Sequence, residues 1–313
     1  MELRNISVKE YKSIFQNPYH IYNKEDFNCL TAELRDVRID CLGFKSKKYK
    51  LGIIGGIIDG KFYSPFSAPF GGFSYTKEDV SLQTIDEAVD LFLDYCRTHC
   101  ISEIRLISPP VFYSMSFINK LNNVLYRKNF SIAKVDLNYT IHLNGSIEDY
   151  MHSLDDNGKR NLSIALASRS LKFDKCESCE DKKLAYKVIS DNHKAKGYPM
   201  RMTFEAVIRT MNVVDADFFI VSCAGEPAAA AIVFHVSDSI VQVIYWGDLP
   251  QYTSYRTMNF LSYNLVEYYH GKGIEIVDLG PSSENSLPNY GLCNFKESIG
   301  CKVYTKLSWE YKF

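Results

Sequence analysis

Strand, helix, strand is the order in which residues 240 to 279 read, and it constrains the fold more than any other feature of the chain. Residues 240–246 are an apolar, β-branched run. Residues 258–269 have helical spacing, with Leu261, Leu265, Tyr268 and Tyr269 on one face, and residues 274–279 are a second buried run. Two strands joined through a helix of this length lie parallel in one sheet, because the crossover returns the chain to the end from which it started. Ahead of this unit, residues 218–223, 228–236 and 240–246 form an antiparallel meander, with turns at Ala224-Gly225-Glu226 and Ser237-Asp238. Open α/β sheets bind ligands beyond the C-terminal ends of their strands, so the polar stretch after Leu279 is the expected place for a site.

The first half repeats this order without any repeat at the level of residues. Residues 37–44 alternate as a half-buried strand does, residues 49–58 are more fully apolar, and Asp59-Gly60 signals a hairpin into residues 61–64. Residues 65–73 form a loop that Pro and Gly keep irregular, expected to be exposed and aromatic. Thr84-x-x-Glu87 reads as a capping box opening an amphipathic helix, followed by a strand at 104–107, a helix at 115–126 and a long strand at 131–143. Ser146-x-x-Asp149 caps a further helix, residues 155–158 are a polar break, and a helix runs from Lys159 to about Ser170. Helices at 181–195 and 203–211 lead into the meander. A chain of 313 residues suits two domains. The expectation is an α/β fold of two halves, 1–144 and 145–313, each a mixed central sheet flanked by helices.

Composition removes several functional classes. A net charge of −1 gives no overall attraction to nucleic acid or to an anionic membrane. Residues 1–10 mix charged with apolar side chains and lack the apolar core of a secretory signal, and no apolar run approaches the length needed to span a bilayer. The expected location is cytoplasmic, with the nine cysteines as reduced thiols. Cys176-x-x-Cys179 and Cys96-x-x-His99-Cys100 are isolated clusters and no metal is expected. Phosphate-binding glycine loops, His-Glu-x-x-His and Gly-x-Ser-x-Gly are all missing. His235, inside an apolar strand, reads as a satisfied core histidine.

After the strand with Asp278-Leu279-Gly280 come a polar loop and Gly291-Leu292-Cys293-Asn294-Phe295-Lys296-Glu297-Ser298-Ile299-Gly300. From the residues alone, Phe295 and Ile299 form the buried face of a short helix, with Lys296 directed into water or toward a ligand. The pattern of strand, Asp-x-Gly, polar loop and Gly-Leu-x-x-Phe-Lys-x-x-x-Gly resembles the Fem-like branch of the GNAT acyltransferase superfamily, which includes aminoacyltransferases that build peptidoglycan cross-bridges. The helix beginning Lys159-Arg160-Asn161 is similar to one at the junction of the two halves in such proteins, although by itself it reads as a solvated cationic face.

The resemblance implies two tandem GNAT-like halves, a last strand (residues 303–309) that returns to the first half, and a donor cleft between residues 240–246 and 274–279. It implies no bound cofactor but an acyl donor, either aminoacyl-tRNA or acyl-CoA. Where acetyl-CoA-dependent members carry a glycine-rich turn, this chain has Gln251-Tyr252-Thr253-Ser254-Tyr255-Arg256, which puts pyrophosphate binding in doubt. The net charge lends tRNA no support. Lys296 is the expected oxyanion partner and Tyr290 the expected proton donor, with Tyr245 and Tyr263 as further tyrosines near the cleft. Lys159, Arg160, Trp246, Arg256, Asn259, Asn289, Gly291 and Phe295 complete the expected substrate-binding set. Such a site would acylate an amine on a cell-envelope precursor, a muropeptide or amino sugar; the alternative is a catalytically silent binding protein that keeps the cleft for a peptide or sugar.

Overall fold

A computed structural model describes all 313 residues. The chain divides into two compact units, Met1–Leu137 with Asn285–Leu287 and Tyr304–Phe313, and Asn138–Glu284 with Pro288–Val303. The change of unit at 137/138 falls inside a strand, where the sequence suggests a boundary at the end of that strand. No helix is long and apolar enough to cross a membrane.

The first unit contains β1 (Glu2–Asn5), α1 (Val8–Ile14), α2 (Glu25–Arg35), β2 (Arg38–Lys45), β3 (Tyr49–Ile58), β4 (Lys61–Ser64), β5 (Phe73–Tyr75), α3 (Leu82–Thr98), β6 (Glu103–Ile107), α4 (Met115–Arg127) and the start of β7 (Ser131–His142). β2, β3 and β4 are antiparallel neighbours, β5 also pairs with β3, and β4 runs parallel to β6 across the α3 crossover. Asp59 (φ 50°) and Gly60 (φ 71°) both adopt the left-handed region, as a two-residue hairpin between Ile58 and Lys61 requires. The cap of α3 is Ser81, whose hydroxyl accepts from the Thr84 amide at 3.2 Å; the Thr84-x-x-Glu87 pattern sits one turn inside. The loop expected to be exposed turns inward instead. Phe70 and Phe73 are buried, and Phe70 packs edge-on to His20 and Tyr22, because an aromatic in contact with other rings gains more from leaving water than from facing it.

The second unit continues β7 into α5 (Ile147–Ser153), α6 (Asp156–Ala167), β8 (Leu171–Lys175), α7 (Cys179–Lys196), α8 (Phe204–Thr210), β9 (Ala216–Cys223), β10 (Glu226–His235), β11 (Ile240–Asp248), α9 (Thr257–His270), β12 (Ile276–Pro281), β13 (Ser283–Glu284), the second residue of β14 (Leu287–Pro288), α10 (Tyr290–Ser298) and the first residues of β15 (Lys302–Lys312). Its strands lie in the order β7-β12-β11-β10-β9-β8, with β11 and β12 parallel and the remaining pairs antiparallel. The body of β15, from Tyr304, belongs to the first unit and pairs antiparallel with β6. The polar break at 155–158 is a helix start, with Asp155 capping α6 through the Gly158 amide at 2.6 Å. Strand β8 carries three charges in five residues, and its only apolar positions, Leu171 and Phe173, are too few to mark it as a strand from sequence; both pack on the core.

One face of this second sheet carries Val221, Val241, Val243, Val277 and Leu279 against Leu261, Leu265 and Tyr269 of α9 and Tyr150 and Leu154 around α5. Helix α7 covers β10 and β11 from the other side, where the small Ala228 and Ala230 leave room for a close approach. At the far edge, Asp217 accepts from Lys175 (2.7 Å), Tyr269 (2.9 Å) and His235 Nε2 (2.8 Å). His235 is thus satisfied. The hydrogen bonds and the Lys175 charge outweigh burial and hold the Asp217 carboxyl below the usual carboxylate range, while Asp217 raises Lys175.

A lowered folded-state pKa contributes stability that is complete above the unfolded value of about 3.9 and is lost as pH falls through it toward the folded value. Asp217→Asn is therefore expected to cost about 1–3 kcal/mol at pH 7 and to flatten the acid limb of stability against pH. Urea titrations across that limb check it. An unchanged acid limb would mean that Asp217 is not held in this way.

Candidate functional site

The parallel ladder between β11 and β12 is short. It joins Ile240 to Ile276, Val241 to Val277 and Gln242 to Asp278, and there it ends, although β11 continues to Asp248 and β12 to Pro281. Beyond that point the edge of residues 243–248 facing β12 has no strand partner. The strands part at their C-terminal ends, where the connectivity places a site.

Two interactions hold β12 in this shape. The first is a polar row at the last paired position. Asp278, fully buried, accepts from Asn138 Nδ2 and Gln242 Nε2 at 2.7 Å each and from the Gly280 amide at 2.8 Å. A buried carboxylate is costly unless such donors surround it. The second is Lys296. Its ammonium donates to the carbonyls of Leu279 (2.8 Å), Gly280 (2.9 Å) and Pro281 (3.3 Å) and lies 5.5 Å from the centre of the Tyr139 ring. Successive carbonyls of a regular strand point to opposite neighbours. Gly280 at φ +70° breaks that alternation, so three in a row converge on one cation; added bulk at Gly280 would meet nothing, and the requirement for glycine is conformational.

Lys296 is thus 1% exposed and its three N–H donors meet three backbone carbonyls. This corrects the expectation of a lysine directed to water or to a developing oxyanion. Its position is buried with Cys293, Ser298 and Ile299 alongside it, and its side chain reaches the last carbonyls of β12. Tyr290 is displaced in the opposite sense. As the first residue of α10 it is 74% exposed and engages no partner, which leaves the expected proton donor in bulk solvent.

The other expected residues fall into three groups. Trp246 of β11 and Phe295 of α10 meet at 5.9 Å between ring centres, both half-buried, beside Met258 and Tyr263. Tyr245 faces the α7 side, edge-on to His193 at 5.7 Å. Burial raises the hydroxyl pKa of Tyr245 and, with help from Glu267, that of Tyr263, so both stay neutral. Asn289 is the cap of α10, accepting from Leu292 N at 3.1 Å and donating to Tyr198 Oη at 2.8 Å, and Gly291 is exposed, where a Cβ would meet only Asn289 Oδ1 at 3.5 Å. Lys159 and Arg160 are exposed on α6, where Arg160 is tied to Asn157. These four have local or solvent-facing roles in the structure and do not line the parted strands.

Buried polar atoms without partners mark the site more sharply than the sequence does. They are Asn138 Oδ1 and Thr140 Oγ1 on β7, Ser282 Oγ just after β12, and Asn259 Nδ2 and Arg256 Nε at the start of α9. Asn259 is 8% exposed and the β7 pair and Ser282 less. An unpartnered buried polar atom costs about 1–3 kcal/mol, so each of these is a group that ordered water or a ligand could complete. The Gln251 stretch is a 3-10 turn whose Tyr252 and Arg256 amides bond to Leu249 and Thr253 carbonyls, and α9 starts from Arg256 at φ 57° with no side-chain cap. The polyproline-free loop after Pro281 is also ordered: β13 and β14 form a hairpin through Asn285 and Ser286, both at positive φ. Asn138, Thr140 and Ser282 escaped the sequence reading because one polar residue in a strand is unremarkable until its neighbours across the sheet are known.

No protein-family model and no curated protein matches the sequence, but solved structures match the fold. FemX aligns over 100% of this chain and 98% of its own, at a TM-score of 0.74 and 11% identity. The C-terminal domain of a candidate lysylphosphatidylglycerol synthetase from Agrobacterium fabrum covers 97% of this chain and 92% of its own (TM-score 0.57, 13% identity). A tandem GNAT protein from the clavulanic acid biosynthesis pathway covers 99% and 98% (TM-score 0.55, 10% identity). The chain shares the fold of FemX and of this tandem GNAT protein over its whole length.

Removing the Lys296 charge leaves three carbonyls without their donor. Lys296→Met is expected to destabilise by about 2–5 kcal/mol, read as a shift of the urea midpoint. A loss below about 0.5 kcal/mol, the range of ordinary surface substitutions, would contradict this anchoring.

Proposed function

We propose that the chain transfers an acyl or aminoacyl group to an amine on a cell-envelope precursor, a muropeptide or an amino sugar, in the cytoplasm. The observation that carries this reading is the parting of β11 and β12 in a chain whose fold matches FemX from end to end. The likeness to a lysylphosphatidylglycerol synthetase domain points the same way, toward transfer of an aminoacyl group from an activated donor.

In this reading the donor carbonyl lies along the unpaired edge of β11, whose backbone N–H groups take the place first assigned to Lys296 at the oxyanion. The neutral amine attacks, a C–N bond forms, and the C–O or C–S bond to the donor breaks as a proton reaches the leaving group. Tyr245 and Tyr263, kept neutral by burial, are the tyrosines able to supply that proton. Trp246 and Phe295 would pack against the acyl portion, and Arg256 and Asn259 at the start of α9 would meet the donor's polar end.

The second reading, a catalytically silent binding protein, is favoured by one observation: Lys296 is occupied by backbone and Tyr290 stands in solvent. A thermal-shift panel of acyl-CoAs, aminoacyl-tRNA mimics and nucleotide-linked sugars separates the two. A ligand at about a hundred times its Kd stabilises by roughly 2.7 kcal/mol. The transferase reading expects stabilisation by an aminoacyl donor mimic and by a nucleotide-linked acceptor. Stabilisation by a sugar or peptide with no response to any donor would favour the silent protein. Free acetyl-CoA is expected to bind more weakly than micromolar, because Tyr252, Thr253 and Ser254 stand where a pyrophosphate needs bare backbone; micromolar or tighter binding by calorimetry contradicts that.

A further inference from the structure

Of the seven histidines only His20, in the first unit, is fully buried, and neither of its ring nitrogens has a hydrogen-bond partner within the chain. A neutral imidazole carries one donor and one acceptor, so the fold meets neither. The proposed transfer reaction makes no use of this residue.

Other rings enclose it. Tyr19 and Phe70 stand nearly perpendicular to the imidazole at 4.6 and 4.9 Å between centres, and Tyr22 and Tyr113 follow at 6.0 and 6.2 Å. The titratable groups among these neighbours are the phenols of Tyr19, Tyr22 and Tyr113, which carry no charge in acid; burial holds that of Tyr19 well above its ordinary value. Carboxylates on the adjoining segments are engaged elsewhere: Glu25 at the start of α2 pairs with Lys12 at 2.7 Å, and Glu78 accepts from the Ser114 hydroxyl at 3.1 Å. Burial is the sole cause that pushes the His20 pKa down, to about 3. Ring faces attract a cation, yet an imidazolium here would give up its water and find no acceptor for either N–H, and that loss is the larger.

Two stretches of chain meet on this ring. Residues 19–23 are tied to β5 by Tyr19 Oη and Asn23 Nδ2, which both donate to the Phe73 carbonyl, at 3.2 and 3.4 Å. The 65–73 loop brings Phe70 and is fixed beyond it by the Gly71 amide on the Ile107 carbonyl (2.9 Å) and the Gly72 amide on the Ser64 hydroxyl (3.0 Å). An imidazole that must reach water has to pass between these stretches.

We propose that His20 is an acid-sensitive latch of the first unit: its neutral ring holds the 65–73 loop against residues 19–23, and a proton on the ring releases the loop. A histidine whose folded-state pKa lies below the unfolded value of about 6.5 contributes its full stability above that value, and the contribution is lost as pH falls through it toward the folded value. Carboxylates, with unfolded values of about 4, act lower, so the window from about pH 6.5 to about pH 5 belongs to histidine. His142 and His193 are also lowered, chiefly by burial, but both lie in the second unit.

The test uses the full chain, with imidazole NMR and amide hydrogen exchange corrected for intrinsic rates, between pH 7.5 and pH 5. The His20 signal is expected to stay at its neutral position while that of the exposed His152 titrates. Opening read at the Gly71 and Gly72 amides should rise roughly 25-fold from pH 7 to pH 5, the factor for a group that titrates near 6.5 only when released. His20→Phe fills the nest with a ring that takes no proton, and His20→Gln, a second variant in case the first does not fold, keeps polar atoms that do not titrate. In either the rise should vanish, with β9 and β10 amides keeping the pH response of the parent chain. The proposal is overturned if His20 titrates at or above about 6.5 in the folded chain, or if the parent shows no rise at Gly71 and Gly72. It is equally overturned if the rise is as large in β9 and β10, or if it persists in a folded variant.

Discussion

A single ammonium group sets the geometry on which the rest of the second unit depends. Lys296 binds three consecutive carbonyls at the end of β12, just beyond the last residue that pairs with β11. The turn at Gly280 and the helix α10 meet at that one cation, where the strands have parted. A lysine is suited to this task because its three donors radiate from a compact head on a flexible stem, whereas the planar fork of arginine would need coplanar acceptors. Burying the charge is costly, and the three charge-assisted hydrogen bonds, together with the Tyr139 ring below, offset that cost.

On the other side of the same strand, Asp278 supplies the opposite charge within a different set of partners. Asp278 fixes β12 sideways to β7 and β11; Lys296 fixes its end to α10. Between them the strand has little freedom, which is what a site built on an open strand edge needs if its backbone donors are to be in place before a ligand arrives. Asn138 and Thr140 on the neighbouring β7 and Ser282 just beyond β12 each carry a buried polar atom without a partner.

The sequence made the architecture legible wherever a run of residues carried its own period. The meander, the α9 crossover and the Asp59-Gly60 hairpin all follow from local pattern and appear in the structure. Strand β8 and the inward turn of the 65–73 loop did not follow, because both are decided by partners far along the chain. The same distinction governs the site. Trp246 and Phe295 were legible as aromatics on adjoining elements, and they meet. Lys296 was legible as important but not in its role, since a lysine next to a buried phenylalanine on a helix is usually solvated, and only the left-handed Gly280 sixteen residues earlier brings carbonyls within its reach.

The central claim is that Lys296 holds the end of β12 away from β11. Amide hydrogen exchange on the Lys296→Met chain tests it most directly. The account predicts a selective loss of protection in β12, the β13–β14 hairpin and the first turns of α10, with β9 and β10 amides keeping their parent rates. Unchanged protection at Gly280 and Ser282, or an equal loss spread over the whole second unit, would contradict it.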